Sequence, residues 1–110
     1  MDELLLYKKT EVLLLDCYPV IRNFPKAEKF ALCQEIKQAF YRMLRNITIA
    51  NNVKSRRRAL QEEIDADIKL LLVLFNVALS QKYVSKGKHY QIQVKLSEIG
   101  RILGGWMRSS

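Results

Sequence analysis

The sequence predicts an all-α protein, an antiparallel up-down four-helix bundle formed by a single domain over residues 1–110. Three observations predict it. The 110 residues include only four glycines and two prolines, too few for the many turns of an all-β sandwich or barrel. Three breaks (Asn23-Phe24-Pro25, Asn51-Asn52 with the basic run behind it, and Ser85-Lys86-Gly87-Lys88) cut the chain into four segments. Each segment is long enough for a helix and repeats its apolar residues at threes and fours. With 49% hydrophobic and 27% charged residues, the balance is that of a globular rather than a disordered chain. A chain of this length buries roughly two-thirds of its extended surface and can carry its own core.

The first helix is expected over about residues 2–22. Leu14, Tyr18 and Ile21 form one apolar stripe, and Leu13, Cys17, Val20 and Phe24 form its neighbour. Asp2 and Glu3 suit the first turn, where the helix dipole favours anions. Pro19 lacks an N–H and should kink the last turns. The second helix is expected over about 26–50, with Cys33, Ile36, Phe40, Met43 and Ile47 as its core stripe. Its outer face carries Gln34, Gln38, Tyr41 and Arg45, with Lys37 and Arg42 beside them.

The third helix is expected over about 55–84. Leu60, Ile64, Ile68, Leu71, Phe75 and Ala78 face its core, and Leu72, Val73, Leu74 and Val77 extend the apolar surface beyond one face. The fourth is expected over about 89–109. Its first residues alternate like a strand, but Ile92, Leu96, Ile99, Leu103 and Trp106 hold the helical period, and a lone strand would have no partner. Gly100, Gly104 and Gly105 each cost about 1 kcal/mol against Ala inside a helix, which suggests a close backbone approach. The first and third helices carry more apolar surface than one bundle core requires. Such a surplus on a soluble helix marks a subunit interface, so self-association is expected.

The charge is +8, with a pI near 9.7, and a surface of that sign attracts polyanions, nucleic acid first among them. It is unevenly spread: residues 24–58 hold nine basic and two acidic groups, and residues 80–110 hold six and one. The densest cluster is Lys54, Arg56, Arg57 and Arg58, at the start of the third helix. The dipole disfavours cations there, so phosphate contact is the functional reading. The structural reading pairs Arg57 and Arg58 with Glu62 and Glu63 at helical spacing. Lys82, Lys86 and Lys88 form a second patch, otherwise a solvated loop. With Lys37, Arg42 and Arg45 these are the candidate nucleic-acid and partner-binding residues.

Catalysis finds little to work with. His89 is the only histidine and has no Cys or carboxylate at metal spacing. Cys17 and Cys33 fall on apolar stripes and read as small core residues. They make neither a disulfide framework nor a metal knuckle. Glu62, Glu63, Asp65 and Asp67 lack the Glu-x-x-His pairs of di-iron bundles, and no phosphate-binding glycine loop is present. No catalytic residue, metal or cofactor is therefore expected. The acidic start Met1-Asp2-Glu3 does not look like a signal peptide, and the run from Leu70 to Gln81 is too short to span a membrane. A cytoplasmic protein without a membrane partner is expected.

Two stretches resemble known families. Phe24-Pro25-Lys26-Ala27-Glu28-Lys29-Phe30-Ala31-Leu32 resembles the signature of the small four-helix-bundle proteins first noticed in ribosomal-RNA intervening sequences, and Asn46-Ile47 resembles that family's helix end. Glu98-Ile99-Gly100-Arg101-Ile102-Leu103-Gly104-Gly105-Trp106 is similar to the C-terminal signature of the accessory variability determinant of diversity-generating retroelements. The resemblance spans nearly the whole chain. It implies a basic helical bundle that assembles as a ring-shaped pentamer and binds the element's reverse transcriptase and RNA or DNA. It also implies support for mutagenic retrohoming with no catalysis of its own. The alternative is a bundle of the intervening-sequence type, an assembly or RNA-binding module. A small enzyme or ligand-binding bundle is the reading from another class.

Overall fold

The computed structural model describes residues 2–110. Four helices follow one another: α1 (Asp2–Arg22), α2 (Leu32–Asn52), α3 (Arg57–Ser80) and α4 (Lys86–Ser109). Among the described residues there is no strand. Short 3-10 turns at Lys26–Glu28 and Lys54–Arg56 precede α2 and α3.

Local chemistry sets each boundary. α2 begins at Leu32, six residues later than its sequence pattern suggests. Pro25 takes an extended ψ of 148°, which places Phe24 against Tyr83 with ring centroids 5.5 Å apart. The chain then crosses to the next helix through i→i+3 bonds, with Glu28 donating to Pro25 and Lys29 to Lys26. α3 stops at Ser80 rather than near residue 84. Tyr83 N–H donates to the Ala78 carbonyl (2.8 Å) and Lys82 N–H to Leu79 (3.0 Å), with Lys82 left-handed at φ 64°. That is a Schellman cap, with lysine where glycine is usual. α4 starts at Lys86 rather than His89, because the Ser85 hydroxyl accepts from Lys88 N–H at 3.1 Å and serves as N-cap. Gly87 and Lys88 thus belong to the helix and not to the preceding loop. α1 runs through Pro19 to Arg22. Pro19 lies on the exposed side, where the carbonyl it leaves unpaired can take water.

The helices pack in a closed square. Neighbouring backbones are α1 with α2, α2 with α3, α3 with α4, and α4 with α1, while the diagonal pairs, among the described residues, have no close backbone approach. Cross-links run antiparallel on the closing edge too: Lys9 bonds Glu98 at 2.8 Å, and Gly105 lies beside Asp2. Phe40, Phe75, Ile36, Ile64, Leu71 and Leu96 are fully buried at the centre, and Trp106 closes one end at 4% exposure. Apolar burial of this kind, at about 25 cal/mol per Å², is the main force holding the square together. The molecule is a rod of 41 × 25 × 19 Å.

The helix glycines do not do what their cost suggests. A Cβ on Gly87 or Gly100 would meet nothing within 4 Å, and one on Gly104 would meet only the tip of Arg108. No neighbouring backbone approaches them within this chain. No helix among the described residues is long and apolar enough to cross a membrane.

Candidate nucleic-acid interface

The fold divides the candidate cations into two ends and a flank. Lys54, Arg56, Arg57 and Arg58 stand where α2 hands over to α3, at one end of the rod. Lys82, Lys86 and Lys88 stand where α3 hands over to α4, at the other. The 24 residues of α3 separate them, about 36 Å at 1.5 Å per residue. The two clusters are therefore separate patches on one subunit. Arg57 and Arg58, and Lys86 and Lys88, occupy the start of a helix with no acidic residue in its first turn, where the dipole repels cations and attracts phosphate. Lys82 follows the C-terminus of α3, where a cation is favoured.

Some of these cations already have partners. The Arg57 guanidinium donates to the Ala50 carbonyl at 2.8 Å and to Asn51 at 3.1 Å, capping the C-terminus of α2 where a cation is favoured. It does not pair with Glu62 or Glu63. Arg58 reaches Glu62 at 3.7 Å, with both side chains well exposed, a contact worth little in water. On the flank, Arg42 makes three hydrogen bonds of 2.8–3.3 Å to the Asp67 carboxylate. Asp67 is only 11% exposed at its side chain. The bond to that carboxylate is the chief cause that holds the Arg42 pKa above its ordinary value. Lys37 lies 4.9 Å over the Tyr18 ring, a cation–π contact, and the Tyr18 and Tyr41 hydroxyls are hydrogen-bonded to each other. Arg45, Lys54 and Arg56 are exposed.

Sequence reasoning missed three cations. Arg22, Lys26 and Lys29, in the α1–α2 connection, share the end of the rod with Lys82, Lys86 and Lys88. Phe24 against Tyr83, and Tyr83 O–H donating to Glu28 at 2.9 Å, tie the two connections together. That bond is the main reason the Tyr83 phenol titrates above its usual value. For Lys26 and Lys29 the signal was present as the charge excess of residues 24–58. Arg22, the last residue of α1, lies outside that range, and the meeting of the loops is a property of the topology.

A family model described as bAvd-like matches residues 4–110. The chain belongs to the bAvd-like family. That membership places it, at family level, among the accessory proteins of diversity-generating retroelements. No curated protein matches the chain. Among solved structures, it is similar to a protein of unknown function from the S23 ribosomal protein family of Bacteroides thetaiotaomicron VPI-5482. The two share 14% identity over 98% of this chain and 99% of the other, with a TM-score of 0.86. At that identity the likeness speaks for the four-helix fold alone.

The other chemistry-bearing residues of this bAvd-like chain have structural surroundings. His89 sits in the first turns of α4, with Nε2 2.8 Å from the Asn76 Oδ1. Cys17 is fully buried, which pushes its thiol up to about 12. In the acidic stretch of α3, Glu62 faces Arg58, Asp65 faces Lys69 at 2.5 Å, and Asp67 faces Arg42.

Proposed function

We propose that this protein is a non-catalytic accessory subunit of a diversity-generating retroelement. It assembles as a ring-shaped homopentamer and binds the element's reverse transcriptase and RNA or DNA through basic surfaces to support mutagenic reverse transcription. The observation that carries the reading is the placement of cations at the N-termini of both α3 and α4, at opposite ends of the rod. Arg57 apart, whose guanidinium caps α2, a cation at such a terminus costs the isolated subunit stability, and a bound phosphate reverses the sign of that cost. Contacts of this kind position a polyanion without reading its bases, so RNA and DNA are both accepted with little sequence preference. Repetition around a ring multiplies modest single sites by avidity.

Self-association has its own support. On α1, Leu4 and Leu15 are 61% and 63% exposed, and on α3 Val73 is 57% exposed. Phe30, in the α1–α2 connection, is 82% exposed, although Phe24, Phe40 and Phe75 are buried. These residues form apolar surface that one subunit leaves uncovered.

The test is co-purification with the reverse transcriptase of the same element, followed by nucleic-acid binding over a range of salt. Wild type should retain the enzyme. Its log affinity should fall linearly with log salt, with a slope near 0.7–0.9 times the number of phosphates neutralised. Replacing Lys54, Arg56 and Arg58 with Gln, or Lys82, Lys86 and Lys88 with Gln, should weaken binding and flatten the slope with helicity unchanged. Arg57 is left in place because it caps α2. Loss of neither enzyme nor slope in both variants moves the interface elsewhere. Failure to retain the enzyme at all favours an assembly module of the intervening-sequence type.

A further inference from the structure

One cleft carries a chemistry that general polyanion binding does not use. It lies between the last turns of α1 and the first turns of α2, with a volume of about 390 Å³, within the roughly 300–1,000 Å³ of small-ligand sites. Its rim is Arg22, Lys26, Lys29 and Lys37, and no carboxylate lines it. Its floor is apolar, made by Tyr18, Ile21, Phe24 and Pro25. Glu28, the acid between the rim residues Lys26 and Lys29, is turned away: Oε2 accepts from the Tyr83 hydroxyl and Oε1 from Leu32 N–H. Among the described residues, none of the four rim cations makes an ion pair. Four like charges around one concavity repel each other, and an anion seated among them relieves that repulsion.

We infer that this cleft is a discrete site for one phosphorylated, nucleotide-sized ligand, its phosphate held by the cationic rim and its flat apolar part lying on the floor. The rim suits a phosphate. Arg22 offers a planar fork of donors and the lysines offer mobile point charges. The floor suits a ring, since Pro25 is exposed at its edge and Tyr18, with Lys37 over its face, adds apolar surface. The one buried side chain of the lining with a hydrogen-bonding atom, Cys33, already donates its thiol to the Ile21 carbonyl, so the site accepts any base. The site is distinct from the polyanion reading because a mononucleotide fills one cleft and bridges no clusters. The same chemistry could arrive as a free nucleotide or as the 5′-phosphorylated end of a strand.

Calorimetric titration of the full-length protein tests it, with adenosine 5′-monophosphate, adenosine and inorganic phosphate as probes in low salt. The monophosphate should bind saturably, at one ligand per chain. It should bind at least tenfold more tightly than adenosine, which lacks the anion, and than phosphate, which lacks the ring. Lys26→Gln with Lys29→Gln should weaken it at least tenfold. Both side chains are exposed, so the fold should hold, as circular dichroism will check. Lys26→Arg with Lys29→Arg should restore it. Lys95→Gln with Arg101→Gln, exposed on α4 and outside the cleft, should change it less than twofold. A 5′-phosphorylated tetranucleotide that competes while its 5′-hydroxyl form does not identifies a strand end as an occupant; competition by neither identifies the free nucleotide as the occupant, and equal competition by both overturns the site, because internal backbone phosphates then suffice. Non-saturable binding, equal affinity for phosphate and monophosphate, or an unchanged Lys26/Lys29 variant overturns the site. Those results would leave the binding of long nucleic acid untouched, because that is read on the other two clusters.

Discussion

Arg42 shows how a cation that looks free in the sequence can be committed in the fold. It lies on the polar flank of α2, where charge alone offers it to a phosphate. Twenty-five residues later Asp67 falls on the facing side of α3, nearly buried, and takes the whole guanidinium fork. A carboxylate placed there without its partner keeps its desolvation cost. Arg42→Met should therefore destabilise the protein by about 1–3 kcal/mol, the usual range for an orphaned buried acceptor. The double variant Arg42→Met with Asp67→Leu should recover most of that loss. Urea melts of the two variants check both outcomes. Nucleic-acid affinity, measured beside them, should fall far less than when Lys54, Arg56 and Arg58 are neutralised. Arg57 teaches the same lesson at shorter range. Its cost at the head of α3 is offset because it reaches across a four-residue connection to the tail of α2. No spacing rule for ion pairs would find a side chain that bonds backbone carbonyls.

At the scale of the element, the periodicity of four helices was fully legible, because burying an apolar stripe imposes threes and fours whatever the loops do. The ends were less so. Lys26–Ala31 has ordinary helix formers and reads as the start of α2, yet Pro25 and the docking of Phe24 on Tyr83 bend it into a 3-10 turn. The end of α3 depends on a left-handed Lys82, which no composition rule marks, since glycine is the usual signal. Ser85 as an N-cap was readable, and the Ser-Lys-Gly-Lys run hid it by looking like a loop. In α4 the tryptophan and the glycines part company. Trp106, at 4% exposure, should cost about 3–5 kcal/mol when replaced by Ala. Gly100→Ala should stabilise by about 0.5–1 kcal/mol, since the new methyl meets nothing and the helix loses one of its four glycines. Denaturant midpoints with unchanged m-values report both. A destabilised Gly100→Ala would mean that another chain packs on that face of α4.

The whole molecule turns these local facts into a geometry for assembly. The largest group of exposed apolar residues lies on α1, with further ones on α3 (Val73, Val77) and on α4 (Tyr90, Val94); α1 and α3 are diagonal in the square. Two sticky faces that point in different directions cannot both be used in one isologous dimer. They suit a heterologous junction, α1 of one subunit on α3 of the next, and such a junction closes into a ring when the rotation allows. In the proposed assembly the cation clusters at the ends of the rod leave the sides of α1 and α3 free for neighbours, while Phe30, among the exposed apolar residues, lies at a cationic end, beneath Lys29. This layout was only half legible in the sequence. The surplus apolar surface could be counted along each helix, but which helices are diagonal follows from packing.

The layout makes a specific prediction. Leu15→Glu spoils the α1 face and leaves the α3 face intact; Val73→Glu does the reverse. Both positions are more than half exposed, so each variant should keep its helicity and its melting cooperativity. Each alone should lose the ring, because every junction needs one good copy of each face, and light scattering at micromolar concentration should report a monomer. Mixed together, the intact α3 face of the Leu15→Glu chain can still meet the intact α1 face of the Val73→Glu chain. That single junction leaves a spoiled face at both outer ends, so growth stops at two. The mixture should therefore run as a heterodimer and never as a ring. An isologous interface gives a different result: every α1–α1 or α3–α3 pairing stays available to whichever chain keeps that face, so one of the single variants would dimerise by itself and mixing would add nothing.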